Sequence, residues 1–277
     1  MRPVVPRYLG VEGMQFKVLG PLEIVENGTQ ISLQSLNQRA TLGYLLLRPN
    51  RVVSIGLLIK ALWGEDAPAT ARKMLQNAVA GVRSVVSRTP GAELVTRVPG
   101  YMIKVNPDDI DLSRFHALVA RGRTELSAGS PEAGIAILRE ALRLWRGSAL
   151  EDLTEAGLCW PELTVMQDTR MSAFEDCMAA ELNLGRHFEI MDELETAFAE
   201  EPLRERLCGQ LMLGLYRCGR QAEALRVYER ARADYLGKPG ADLGQELHEL
   251  ERAIREHDPA LSTHAGNRVC FIQAAFR

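Results

Sequence analysis

The chain has 277 residues, 46% of them hydrophobic and 25% charged, enough for two domains with separate cores. It contains no run of about 18 apolar residues, so no membrane-spanning helix is expected. The opening MRPVVPRYLGVEG is too short and too weakly apolar for a secretory signal. Cys159, Cys177, Cys208, Cys218 and Cys270 are scattered without close pairing, so they read as reduced thiols of a cytoplasmic protein rather than a disulfide frame. The net charge of −3 conceals an asymmetry. Met1 to Asn106 carries 13 Lys+Arg against 6 Asp+Glu (+7), and the remainder carries 20 against 30 (−10). A basic first part joined to an acidic second part points to a polyanionic partner for the first, nucleic acid above all.

In chain order, the apolar alternation Phe16, Val18, Leu22, Ile24 predicts strands, and Asn27-Gly28 is a two-residue hairpin turn with Ile31 and Leu33 on the returning strand. Three helices follow. The first runs through LNQRATLGYLLL and stops before Pro49-Asn50. Ser54 caps the second, IGLLIKALW. After GEDAPA, Thr70 caps the third, which continues to about Arg88.

The third helix lies within Ala69–Arg88, a stretch with four basic residues and no acidic one. At 100° per residue Leu75, Val79, Val82 and Val86 form one face, widened by Met74, Ala78 and Val85. Arg72, Lys73, Gln76, Asn77, Ala80, Arg83, Ser84 and Ser87 occupy the opposite arc. Arg and Lys pair with guanine, Gln and Asn with adenine, and Ser with phosphate, so the arc suits a DNA major groove. The alternative is a solvated surface helix, but such helices mix both signs. ELVTRVPGYMIKV then reads as a hairpin with Pro99-Gly100 central to a type II turn, placing Val95, Arg97, Met102 and Lys104 on one face. A sheet, three helices and a basic hairpin make a winged helix-turn-helix, with Arg97 and Lys104 on the wing.

The acidic part holds an internal repeat. Gly129, Gly185 and Gly219 each follow an apolar residue three positions earlier (Leu126, Leu182, Tyr216). Each precedes Leu138, Leu194 or Tyr228 by nine residues and Ala141, Ala197 or Ala231 by twelve. The second and third glycines are 34 residues apart, the tetratricopeptide period. The first two are 56 apart, so WRGSALEDLTEAGLCWPEL is an irregular insertion. The fold class is therefore mainly α with small β: a winged helix-turn-helix domain followed by an α-helical TPR-like repeat domain.

The segments MQFKVLGPLEI, LLIKALWGEDAP, LQNAVAGVR and VPGYMIKV resemble the OmpR-type winged domain of the Streptomyces antibiotic regulatory protein family. IDLSRFHALVARG and EPLRERLCGQLMLGLYRCGRQAEALRVYERARADYL resemble its bacterial transcriptional activation domain. The resemblance implies an extension at 1–13, a DNA-binding domain at 14–106, a helical activation domain at 110–261 and a tail at 262–277. It implies an activator of a secondary-metabolite gene cluster that binds direct repeats near the −35 element, with two copies on one face of the duplex at a spacing of about 10–11 base pairs. The partners implied are double-stranded promoter DNA, a second copy on the DNA, and RNA polymerase through its sigma factor and the C-terminal domain of its alpha chain.

The family commonly has a basic residue where Gly81 stands, so Gly81→Arg is expected to tighten binding. In OmpR-type domains the loop between the second and third helices often meets polymerase, which here assigns that role to Trp63, Glu65 and Asp66. The alternative is that Glu65 and Asp66 favour the N-terminus of the third helix through its dipole. No P-loop is visible. The five histidines are dispersed and match no metal spacing with the cysteines. No nucleophile, base and orienter set can be picked out. Hence no catalytic residue, metal, cofactor or membrane partner is expected. A protein-interaction adaptor built on the repeats is a rival that has no need of the Lys73/Asn77/Arg83 arc, and a repressor is not separated from an activator by these residues.

Overall fold

The computed structural model describes residues 14–88, 91–236 and 243–262. The expected extension at 1–13, and the tail from 263 on with Cys270, lie outside the described residues.

In chain order the elements are β1 (Met14–Lys17), β2 (Glu23–Glu26), β3 (Thr29–Ile31), α1 (Leu36–Leu46), β4 (Val53–Ser54), α2 (Ile55–Trp63), α3 (Ala71–Val86), β5 (Ala92–Arg97) and β6 (Gly100–Val105). Then come α4 (Asp111–Ser127), α5 (Pro131–Leu142), α6 (Glu151–Thr154), α7 (Pro161–Asn183), α8 (Met191–Glu200), α9 (Glu205–Arg217), α10 (Gln221–Leu236) and α11 (Gln245–Arg255). No helix of the described residues is long and apolar enough to cross a membrane. The chain divides into two compact units, Met1–Ala120 with Glu140–Arg170, and Arg121–Arg139 with Met171–Arg277.

The first unit contains two three-stranded antiparallel sheets, ordered β1-β2-β3 and β4-β6-β5. Asn27 and Gly28 both take positive φ, 48° and 80°, as a type I′ turn demands. The returning strand ends at Ile31, so Leu33 lies beyond it. Ser35 accepts a hydrogen bond from Gln38 N and caps α1. Ser54 accepts one from Leu57 N and caps α2, as expected. Thr70 stands at the start of α3 without a capping side-chain bond, because its hydroxyl is turned to Met74 Sδ instead. Phe16, Ile24, Leu42, Leu58, Leu75, Val82 and Ile103 are buried in this unit's core.

The irregular insertion is part of this unit. Arg146 N and Leu150 N donate to the carbonyls of Leu19 and Val18 at 2.8 and 3.0 Å. Val18 N and Leu19 N donate to Asp111 at 2.8 and 3.1 Å, and Leu22 N donates to Asp152 at 2.8 Å. These bonds satisfy the backbone between β1 and β2, which has no ladder partner there. Farther along, the Trp160 indole donates to Ala61 O at 2.9 Å and stacks edge-on to Tyr44, while Arg48 pairs with Glu162. Gly43 makes room for the insertion: a Cβ there would stand 2.9 Å from Leu153 Cδ1.

The second unit is helical. Gly129, Gly185 and Gly219 take φ of 80°, 76° and 75°. Each donates to the carbonyl three residues back, and the next residue donates five back, which is the Schellman helix stop. Of the repeat's small positions in this unit, Ala231 is buried and Ala197 is half-buried; Ala141, also buried, falls in the first unit. Ion pairs join the helices. Glu175 on α7 meets Arg204 and Arg206, and Glu181 meets Arg139 and Arg186.

Candidate nucleic-acid interface

The apolar face of α3 packs inward. Leu75, Ala78, Val79, Val82, Val85 and Val86 are buried. Arg72, Lys73, Gln76, Asn77, Ala80, Arg83, Ser84 and Ser87 are exposed, so the arc drawn from periodicity is the solvent face of the helix. Its residues differ in what holds them. Among the described residues Arg72, Lys73, Gln76 and Asn77 take no side-chain hydrogen bond or ion pair. Arg83 is tied to the hairpin: Nε donates to Leu94 O at 3.0 Å and a terminal nitrogen to Thr96 Oγ1 at 3.1 Å. Ser84 and Ser87 bond back to the helix, to Gly81 O and Arg83 O. Arg88, at the very end of the predicted helix and outside the arc drawn from periodicity, extends it with its Nε on Ser84 O.

Arg72 and Lys73 sit in the first turn of α3, which holds no acidic residue. Cations there oppose the helix dipole by some tenths of a kcal/mol each, and Gly81 mid-helix costs about 1 kcal/mol against alanine. With the missing cap, α3 departs from good helix design at three points, all at or beside its polar arc. Of these, the glycine has a packing reason, since a Cβ at position 81 would stand 2.1 Å from Gln38 Nε2. Local departures with no such gain, as at Arg72 and Lys73, are expected at functional positions.

The hairpin differs from its expected turn. Arg97 pairs with Gly100, so the loop is Val98-Pro99, with a cis peptide between them, and not Pro99-Gly100. Gly100 is drawn into β6 by β4. It pairs with Ser54, and a Cβ on it would stand 1.8 Å from Val53 O. Moving the turn centre by one residue shifts the pairing by two, which preserves the faces. Val95, Arg97, Met102 and Lys104 therefore still share one face, now with Glu93 opposite Lys104. Lys104 stands 3.9 Å from the Glu93 carboxylate. Arg97 is exposed beside the tip, where Val98 is 96% exposed.

Trp63, the last residue of α2, is half-buried, and in the loop that follows Glu65 and Asp66 are exposed. Lys60 pairs with Glu65 at 2.7 Å. That hydrogen bond holds the Glu65 carboxyl below the usual carboxylate range and raises the Lys60 ammonium. Neither acid belongs to the first turn of α3. Among the described residues no three His, Cys, Asp or Glu side chains stand where they could hold a metal ion.

A winged helix with a polar, cationic third helix, followed by a helical-repeat unit, defines a class of transcriptional regulators. Residues 110–255 match the bacterial transcriptional activator domain, and the chain belongs to the Streptomyces antibiotic regulatory protein family of activators. It is 31% identical over 256 residues to the regulatory protein DnrI of Streptomyces peucetius, covering 90% of this chain and 94% of DnrI. It is 32% identical over 253 residues to the transcriptional regulator RedD of Streptomyces coelicolor, covering 90% and 72%. Among solved structures, Mycobacterium tuberculosis EmbR in complex with a low-affinity phosphopeptide matches with a TM-score of 0.80 and 30% identity, over 95% of this chain and 68% of that one.

Proposed function

We propose that this regulator activates a secondary-metabolite gene cluster from the cytoplasm, without catalysis, by placing α3 in the major groove of promoter DNA. In this reading 14–106 is the DNA-binding domain and 110–261 the activation domain. Two copies bind direct repeats near the −35 element. RNA polymerase is recruited through Trp63, Glu65 and Asp66, which meet its sigma factor and the C-terminal domain of its alpha chain. The observation that carries the reading is the α3 arc, whose unpartnered cations and amides sit at the N-terminal end of the helix, the end that reads bases in helix-turn-helix proteins. Arg72, Lys73, Gln76 and Asn77 reach the bases or flanking phosphates. Ser84, Arg97 and Lys104 touch the backbone. Arg83 chiefly sets the hairpin against α3.

Footprinting on the promoters adjoining the gene tests the reading. A protected direct repeat is expected, with affinity falling by close to one log unit per log unit of salt for each phosphate neutralised. Affinity independent of salt, or absent for every duplex, overturns it. Glu65→Ala with Asp66→Ala separates binding from activation. Near-normal binding with transcription by purified polymerase reduced several-fold is expected, and unchanged transcription removes the loop from the mechanism.

A further inference from the structure

Projected at 100° per residue, the centre of the α3 polar arc is Lys73, Asn77, Ala80 and Ser84. Gln76 and Arg83 flank it on one side, where Arg83 reaches the hairpin. Gly81 and Arg88 flank it on the other. Gly81 supplies no side chain, and its place is filled from another helix. A Cβ at position 81 would stand 2.1 Å from Gln38 Nε2 and 2.6 Å from Gln38 Cδ. The α1 side chain therefore lies directly over Gly81, on the border of the arc.

Two bonds hold Gln38 there. Its backbone N donates to Ser35 Oγ at 3.3 Å, and its Oε1 accepts from Gln34 N at 3.1 Å. The second bond fixes which end of the amide is which. Oε1 is occupied, and Nε2 carries two donors with no acceptor among the described residues. The result is a held, donor-only group beside a carboxylate-free arc.

We infer that Gln38 is a DNA-contacting residue, its Nε2 donating to a backbone phosphate at the α1 edge of the groove. This rests on the reading of α3 as the DNA-facing helix. The DNA surface is then composite, and Gly81 is the gap through which α1 enters it. An arginine at 81 displaces Gln38 instead of adding to it, against the expectation from the family pattern alone.

The test is binding of the full chain, by fluorescence anisotropy across a salt series, to a duplex from the adjoining promoter and to a random-sequence duplex. A neutral amide releases no counterion. Gln38→Ala is therefore expected to weaken both duplexes roughly 3–10-fold, the worth of about 1 kcal/mol of hydrogen bond, with the log–log salt slope unchanged. Gln38→Lys places a charge at the same phosphate and is expected to steepen the slope by about 0.9. A wild-type slope for Gln38→Lys, or wild-type affinity for Gln38→Ala, overturns the inference. Lys73→Ala is the control. If it weakens binding while both Gln38 variants match wild type, only the Gln38 contact falls. If it too binds like wild type, the reading of α3 itself fails.

Discussion

Helices α3 and α8 are amphipathic elements of opposite sign. Helix α3 bears Arg72, Lys73 and Arg83 and no acid, whereas α8 bears Asp192, Glu193, Glu195 and Glu200 and no base. Composition alone treats them as equivalent one-sign surfaces, yet the structure separates them. On α8, Glu193 is met by Arg139 and Glu195 by Arg220, at 3.1 and 2.9 Å. Asp192 and Glu193 stand in its first turn, where carboxylates agree with the dipole. On α3 the first-turn cations oppose the dipole, and Arg83 bonds only to neutral oxygens. On α8 two of the four acids, Glu193 and Glu195, are paired within the fold and two, Asp192 and Glu193, agree with the dipole. On α3 the first-turn cations Arg72 and Lys73 gain nothing from the fold, and the proposed function gives them an acceptor in DNA.

The contrast can be broken or sharpened at four points. The largest effect is expected deep in the acidic half. Glu175, with its side chain 4% exposed, faces Arg204 and Arg206, so Glu175→Ala is expected to cost about 3 kcal/mol of folding stability. DNA affinity at temperatures below the transition should stay unchanged, and chemical denaturation with a binding titration reads both.

Lys73→Glu is expected to show the opposite profile. DNA binding should fall by at least the roughly 1–3 kcal/mol of a lost contact, while thermal stability holds or rises by some tenths of a kcal/mol from the improved dipole. A stability loss that parallels the binding loss would erase the distinction between the two helices.

Arg83 sits between the two cases. Arg83→Ala removes the tie to β5 and is expected to cost about 1 kcal/mol of folding stability for the lost bonds to Leu94 O and Thr96, and to weaken binding on all sequences alike because the hairpin is no longer held against α3. Arg83→Lys should fail to restore it, because one ammonium does not span both acceptors as the guanidinium fork does. Loss of selectivity at a single base position would instead make Arg83 a reader of sequence.

The smallest effect is expected at the α8 surface. Glu195→Gln breaks a pair whose partners are both about 40% exposed, and a stability change under about 1 kcal/mol is expected, with DNA binding unaltered.

Local chemistry was legible from the residues alone. The bounds of α2, the buried and exposed faces of α3, the Asn27-Gly28 turn and the three helix-stopping glycines all follow from periodicity and turn preferences that act over a few residues. Features set by distant partners were not. Glycine at 100 looked like a turn residue because Pro-Gly favours one, and only the backbone of β4 shows why a side chain is excluded there. The insertion at 145–163 broke the repeat without indicating a role, since its partners at Val18, Leu19, Leu22 and Ala61 lie from 99 to 132 residues away in sequence. Gln38 carried no signal, being one amide on a neighbouring helix. Periodicity sets which face of an element turns inward; which side chain crosses from one element to another is settled by close packing, where one absent Cβ at Gly81 is enough.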